Sequence, residues 1–131
     1  MSDTGSFTTT ILIAEPDQFQ QKVYYDTLKD KYRLIFAESL NDAFSKLVTY
    51  HPAILLLEVN QPDGDGLNLI QQIRRDPSLK SMIVACVTNR NGVADKIKGF
   101  RAGSDDYIIK PINLNTFAWR MVLLGRVRNL G

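Results

Sequence analysis

Ile54-Leu55-Leu56-Leu57-Glu58-Val59-Asn60-Gln61-Pro62-Asp63-Gly64-Asp65-Gly66 is the stretch on which the fold turns. Its first four residues are aliphatic without polar alternation, as a strand covered on both faces requires. The run ends on a carboxylate. The Asp-Gly pairs after Pro62 then favour a tight turn. Leu67, Ile70 and Ile73 recur at helical spacing until Asp76-Pro77 stops the pattern. A buried strand, a turn and an amphipathic helix in that order form one half of a parallel crossover unit.

The same alternation runs outward in both directions. Apolar runs occur at Ile11-Leu12-Ile13-Ala14, at Met82-Ile83-Val84-Ala85-Cys86-Val87 and at Tyr107-Ile108-Ile109, with a weaker one at Leu34-Ile35-Phe36-Ala37. Segments of helical length separate them. The first helix should open near Asp17, behind Pro16, with Phe19, Val23 and Leu28 inward. The second should follow Ser39 as N-cap and bury Leu40, Ala43, Phe44 and Leu47. The fourth should run from about Gly92 to Ala102, ended by Gly103, and the fifth should start after Asn113. Five strands alternating with five helices predict an α/β, doubly wound parallel sheet with helices on both faces. Such a sheet places its site at the carboxyl ends of the strands. Those ends are Glu15, Glu58, Thr88 and Lys110.

Composition narrows the function classes. A chain of 131 residues reads as one domain, with 44% apolar and 23% charged residues. A net charge of +2 without a dense Lys/Arg block gives no argument for direct nucleic-acid binding. No apolar stretch approaches the roughly 18–20 residues that span a membrane, and Met1 to Thr10 lacks the features of a secretory signal. The expected location is cytoplasmic. Cys86 is the only cysteine and lies within an apolar run, so it reads as a small core residue. His51, the only histidine, precedes Pro52 and reads as a loop residue. Asp63-Gly64-Asp65-Gly66 resembles a fragment of a calcium loop but lacks its later bidentate glutamate, so a turn is expected.

Along nearly its whole length the sequence resembles the receiver domains of two-component response regulators. Ile11 to Glu15 looks like their first strand with its acidic end, and Pro52 to Gly66 like the phosphoacceptor strand and loop. Val87-Thr88 matches the switch hydroxyl. Ala102-Gly103-Ser104-Asp105-Asp106-Tyr107-Ile108-Ile109-Lys110-Pro111 matches the last strand, with its aromatic switch residue and lysine. The resemblance implies a flavodoxin-like five-stranded sheet of order 2-1-3-4-5. It implies a receiver domain over residues 10–131, and the polar composition of residues 1–9 reads as a disordered lead-in. It also implies roles: an acceptor at position 58, Thr88 and Lys110 at the site of transfer, and a switch formed by Thr88 and Tyr107. Mg²⁺ would be held by Glu15 and the Asn60 backbone carbonyl. A sensor histidine kinase or another signalling protein is the implied partner.

Two positions depart from the family pattern. Glu58 stands where the family has its phosphoacceptor aspartate, and Pro16 stands where it has a second acid that binds the metal directly. The extra methylene of Glu58 moves the carboxylate by about 1 Å, and misplacement of that order costs ~100-fold in rate. Loss of a hard-oxygen ligand weakens Mg²⁺ binding, so the expectation is an atypical receiver that holds no required cofactor, with any Mg²⁺ bound only weakly because of Pro16. Two readings of Glu58 stay open. It mimics the phosphorylated state by holding Thr88 and Tyr107, or it fills a retired pocket and pairs with Lys110.

The last helix adds an interface expectation. Leu114, Phe117, Ala118, Met121 and Val122 should pack on the sheet, while Trp119, Leu123, Val127 and Leu130 form a second apolar stripe. A tryptophan and leucine on such a stripe suit an interface anchor, or equally a boundary shared with helix 4 or the start of a linker. With the resemblance, that implies a protein-binding or homodimer face made by helix 4, strand 5 and helix 5. Two alternatives remain: a receiver that still phosphorylates itself from a small donor, and the regulatory half of a DNA-binding regulator. The chain ends after the fifth helix, so the second of these requires the sequence to be a fragment.

Overall fold

A computed structural model of the chain describes residues 9–130, with side chains through residue 126. Most of the expected lead-in, and the side chains of Val127 and Leu130, lie outside the described residues. The strands of the main sheet are β1 (Thr10–Ala14), β2 (Arg33–Ala37), β3 (Ile54–Leu57), β4 (Ile83–Thr88) and β5 (Asp106–Ile109). The helices are α1 (Gln18–Leu28), α2 (Leu40–Tyr50), α3 (Gly66–Arg75), α4 (Val93–Ala102) and α5 (Leu114–Leu130). The sheet is parallel with order β2-β1-β3-β4-β5, the doubly wound, flavodoxin-like order expected. A separate two-stranded hairpin, Asn60–Gln61 against Gly64–Asp65, forms the turn between β3 and α3.

The continuous apolar runs have a simple cause. Successive strand residues point to opposite faces, and both faces carry helices. Leu12, Leu55, Leu57, Val84 and Cys86 join α2 and α3 residues such as Leu47, Ile70 and Ile73 in one core. Ile11, Ile13, Leu56, Ala85 and Val87 join Tyr24, Phe117 and Met121 in the other. Cys86 is fully buried, and burial pushes its thiol up to about 11.

The helix ends follow their sequence chemistry. Ser39 Oγ accepts the Asp42 N–H at 3.0 Å, and Asp65 Oδ1 accepts the Leu67 N–H at 2.9 Å. Asp63 reaches across to α2, where its two oxygens accept the N–H groups of Leu40 and Asn41 at 2.8 and 2.9 Å. The Asp63–Asp65 stretch is therefore a turn with two helix-capping carboxylates. Gly103 ends α4 at φ 119, a conformation that favours glycine. His51 is the C-cap of α2 at φ 46.

Two packing expectations need correction. Phe19 is 75% exposed rather than inward. At 3.6 residues per turn it sits about 140° around α1 from Tyr24. Tyr24 and Leu28 take the inner stripe instead, and the Tyr24 ring meets Phe117 with centroids 5.9 Å apart. On α5, Phe117 and Met121 are buried, but Leu114 and Ala118 are exposed. Leu124 packs against the core in place of Ala118, because the core stripe is narrower than the apolar one.

Arg74 fastens the far end of the sheet. Its guanidinium donates to the carbonyls of Gly103, Lys80 and Met82 and to Asp105 Oδ2 at 2.9 Å. Arg74→Ala leaves several of these acceptors without a donor and is expected to cost about 2–3 kcal/mol by urea denaturation. A loss below ~0.5 kcal/mol would show that water replaces the guanidinium there.

Candidate functional site

Register brings the site residues to one edge of the sheet. Ala14 pairs with Leu57, and Leu57 with Cys86, so Glu15 and Glu58 emerge level with Val87, and Thr88 follows one residue beyond. Thr88 pairs with Ile109, which places Lys110 just beyond. Glu15, Glu58 and Thr88 are all buried.

Lys110 Nζ donates to Glu15 Oε1 at 2.7 Å and to Glu58 Oε1 at 2.6 Å, with all three side chains at least nine-tenths buried. The second oxygen of each glutamate accepts a backbone N–H: Asp17 for Glu15 at 3.1 Å, and Asn60 for Glu58 at 3.0 Å. Both carboxylates are thus committed on both oxygens. Burial lifts the Glu15 carboxyl above its ordinary value, although hydrogen bonds from Lys110 and Asp17 pull the other way. Burial lowers the Lys110 ammonium, but hydrogen bonds and charge from both glutamates outweigh it and leave its pKa raised.

The neighbouring acids do not join this cluster. Pro16 offers no side-chain oxygen. Asp17 is exposed, and its Oδ1 accepts the Phe19 N–H at 3.0 Å as the cap of α1. Among the described residues no three His, Cys, Asp or Glu side chains gather in a metal-binding arrangement.

Tyr107 is turned inward, with 7% of its surface exposed. Its hydroxyl donates to the Arg90 carbonyl at 2.8 Å. Burial pushes the phenol up to about 12. Gly99 of α4 makes the room: a Cβ there would lie 2.7 Å from ring atom Cδ2. Thr88 Oγ1 accepts the Arg90 N–H at 3.3 Å. The Arg90 side chain turns the other way, donating from Nε to Asn60 Oδ1 at 2.7 Å and meeting Asp65 Oδ2 at 3.4 Å.

Glu15, Glu58 and Lys110 therefore meet directly, Thr88 and Tyr107 meet through Arg90, and the Asn60 side chain belongs to the Arg90 contact. Trp119 and Leu123 stand 66% and 53% exposed on α5. Three participants escape a reading of the sequence. Arg90 is an ordinary loop residue by composition, two positions after Thr88. Gln61 Nε2 donates to the carbonyls of Ala14 and Glu58 at 3.0 and 2.8 Å, tying the ends of β1 and β3. Gly99 does carry a usable sign, since an isolated glycine inside a helix often marks a close approach.

An open doubly wound sheet with acids after β1 and β3, a hydroxyl ending β4 and a lysine after β5 defines a flavodoxin-like signalling module. A family model described as "Response regulator receiver domain" matches residues 11–121, and the chain belongs to that family. Its members are signalling modules of two-component systems rather than enzymes in general, and they interact with histidine kinases and other signalling proteins. The chain is 29% identical over 114 residues to the KDP operon transcriptional regulatory protein KdpE of Escherichia coli (strain K12), covering 86% of this chain and 49% of KdpE. It is also 29% identical over 122 residues to Histidine kinase P4 of Formosa agariphila, covering 92% of this chain and 9% of that protein. The chain thus spans about half the length of KdpE and a small part of the kinase. A two-component response regulator structure from Clostridium difficile superposes with TM-score 0.85 at 26% identity, over 91% of this chain and 97% of that one. No helix among the described residues is long and apolar enough to cross a membrane.

Proposed function

We propose that this is an atypical receiver whose signalling arrangement is set without phosphate and read by protein–protein contact in the cytoplasm. The carrying observation is the inward Tyr107, whose hydroxyl donates to the Arg90 carbonyl at 2.8 Å. The Glu58–Lys110 pair is what the retired-pocket reading expects, whereas the inward ring is the opposite of the inactive-like geometry that goes with it, and the ring is what supports constitutive signalling. No direct Glu58–Thr88 bond carries that state: Thr88 Oγ1 accepts the Arg90 N–H, while Glu58 accepts from Lys110 and the Asn60 N–H.

Mg²⁺ does not fit this donor set well. The ion prefers near-octahedral oxygen coordination. Besides the Asn60 backbone carbonyl the edge offers two carboxylates, both held by Lys110, and a proline where a further acid would stand. The reading is therefore metal-independent. The partner surface is the face formed by α4, β5 and α5, with Trp119 and Leu123 as anchors. Val127 is included from sequence only. A sensor histidine kinase, another signalling protein or a second copy of the chain would dock there.

The direct test is incubation with acetyl phosphate and Mg²⁺, followed by intact mass measurement. No phosphoryl mass should appear. An adduct on Glu58, lost in Glu58→Gln, would overturn the proposal in favour of an active phosphoacceptor. The half-length match to KdpE supports one further reading, that this receiver is the regulatory part of a transcriptional regulator.

A further inference from the structure

We propose that Arg90 is the positioning residue that locks Tyr107 inward, by bridging the loop after β3 to the loop after β4. This deepens the reading of a phosphate-independent switch and rests on it. Four contacts carry the assignment, and all belong to one residue. The Arg90 carbonyl accepts the Tyr107 hydroxyl at 2.8 Å, and its N–H donates to Thr88 Oγ1 at 3.3 Å. Its guanidinium donates to Asn60 Oδ1 at 2.7 Å and faces Asp65 Oδ2 at 3.4 Å.

The backbone of Arg90 is what Tyr107 and Thr88 hold, and its side chain is what the Asn60–Asp65 hairpin holds. A loop residue has few other restraints, so anchoring the guanidinium fixes where its own carbonyl stands. That carbonyl is the acceptor a buried Tyr107 hydroxyl needs, since an unpaired buried hydroxyl is costly. The fork geometry of arginine suits two anchors at once, which a lysine ammonium does not reproduce. Gly99 completes the device passively, by leaving space for the ring. Lys110 and Glu58 hold the floor of the site, and Arg90 transmits the hairpin position to the switch.

NMR of the full chain tests this through the nuclear Overhauser contact between the Tyr107 ring and the Gly99 α-protons. The wild type should show it without any phosphodonor. Arg90→Ala should shift the inward-to-outward ratio roughly tenfold, equivalent to about 1.4 kcal/mol, and weaken the contact accordingly. Asn60→Ala, at an exposed hairpin position, should do the same more mildly. Arg90→Lys should restore only part of the effect. Melting temperatures serve as the control for folding. If both Arg90→Ala and Asn60→Ala keep the wild-type contact and Gly99 shifts, the Arg90 assignment is wrong while the functional reading stands. If the wild type itself lacks the contact, both fall together.

Discussion

Replacing Lys110 with methionine is expected to cost about 3–5 kcal/mol of stability at pH 8, because it strands two buried carboxylates beside each other. Among the described residues Lys110 is the side chain that ion-pairs with both Glu15 and Glu58, at 2.7 and 2.6 Å. Without it, each carboxyl is held to ionisation by one backbone N–H and opposed by burial and by its neighbour. The folded-state pKa of Glu15, already raised by burial, then rises further. A carboxyl with a raised folded pKa favours the folded state when protonated, so its contribution is present at low pH and lost as pH rises through that pKa. Urea denaturation of Lys110→Met should therefore recover much of the loss at pH 5. The wild type has the complementary signature at the alkaline end. Lys110 has a raised folded pKa, so its contribution is full below its ordinary value and disappears as pH rises through the folded one. Equal losses at pH 5 and pH 8 in Lys110→Met would mean that the lysine acts through packing alone.

The other large effect is a gain. Combining Pro16→Asp with Glu58→Asp is expected to raise the rate of labelling by acetyl phosphate and Mg²⁺ by at least ~100-fold over the wild type. The two changes act on different requirements. Glu58→Asp retracts the carboxylate and frees it from the geometry in which one oxygen is spent on Lys110 and the other on Asn60. Pro16→Asp supplies an acid where Asp17 cannot help, because Asp17 is engaged as the cap of α1. Each single variant should therefore gain much less than the pair. Intact mass against time measures this directly. A double variant that stays unlabelled would locate the block elsewhere, with the Arg90 bridge across Asn60 as the first suspect.

Most of the architecture is legible in the sequence because both sheet faces are covered. Runs such as Ile54 to Leu57 and Ile83 to Val87 fit little besides a doubly covered strand once turns and helical spacing flank them. The acids, Thr88 and Lys110 are also legible, since strand ends are where such a sheet gathers its site. Side-chain choice among competing partners is not. Glu58 has three plausible partners by position, and the structure gives it Lys110 and the Asn60 N–H but not Thr88. The direction of the Arg90 side chain is equally a matter of tertiary contact, with no periodicity to announce it. Phe19 misleads for a different reason. Its four-residue spacing to Val23 imitates a core stripe, yet the real stripe passes through Tyr24 and Leu28. Tyrosine simply carries less weight than phenylalanine in a hydrophobic pattern.

The Lys110 contacts also carry a consequence for how the chain assembles. The lysine is 95 positions from Glu15 and 52 from Glu58 along the sequence. Contacts this remote require loop closure over most of the polypeptide before they give any return. β3 and β5 are not neighbours, so Lys110 can span them only after β4 has been seated between them. The ion-paired centre is thus expected to form late in folding, which φ-value analysis at Lys110 would test as a value near zero. A partly folded chain whose sheet lacks β4 or β5 therefore has no such centre.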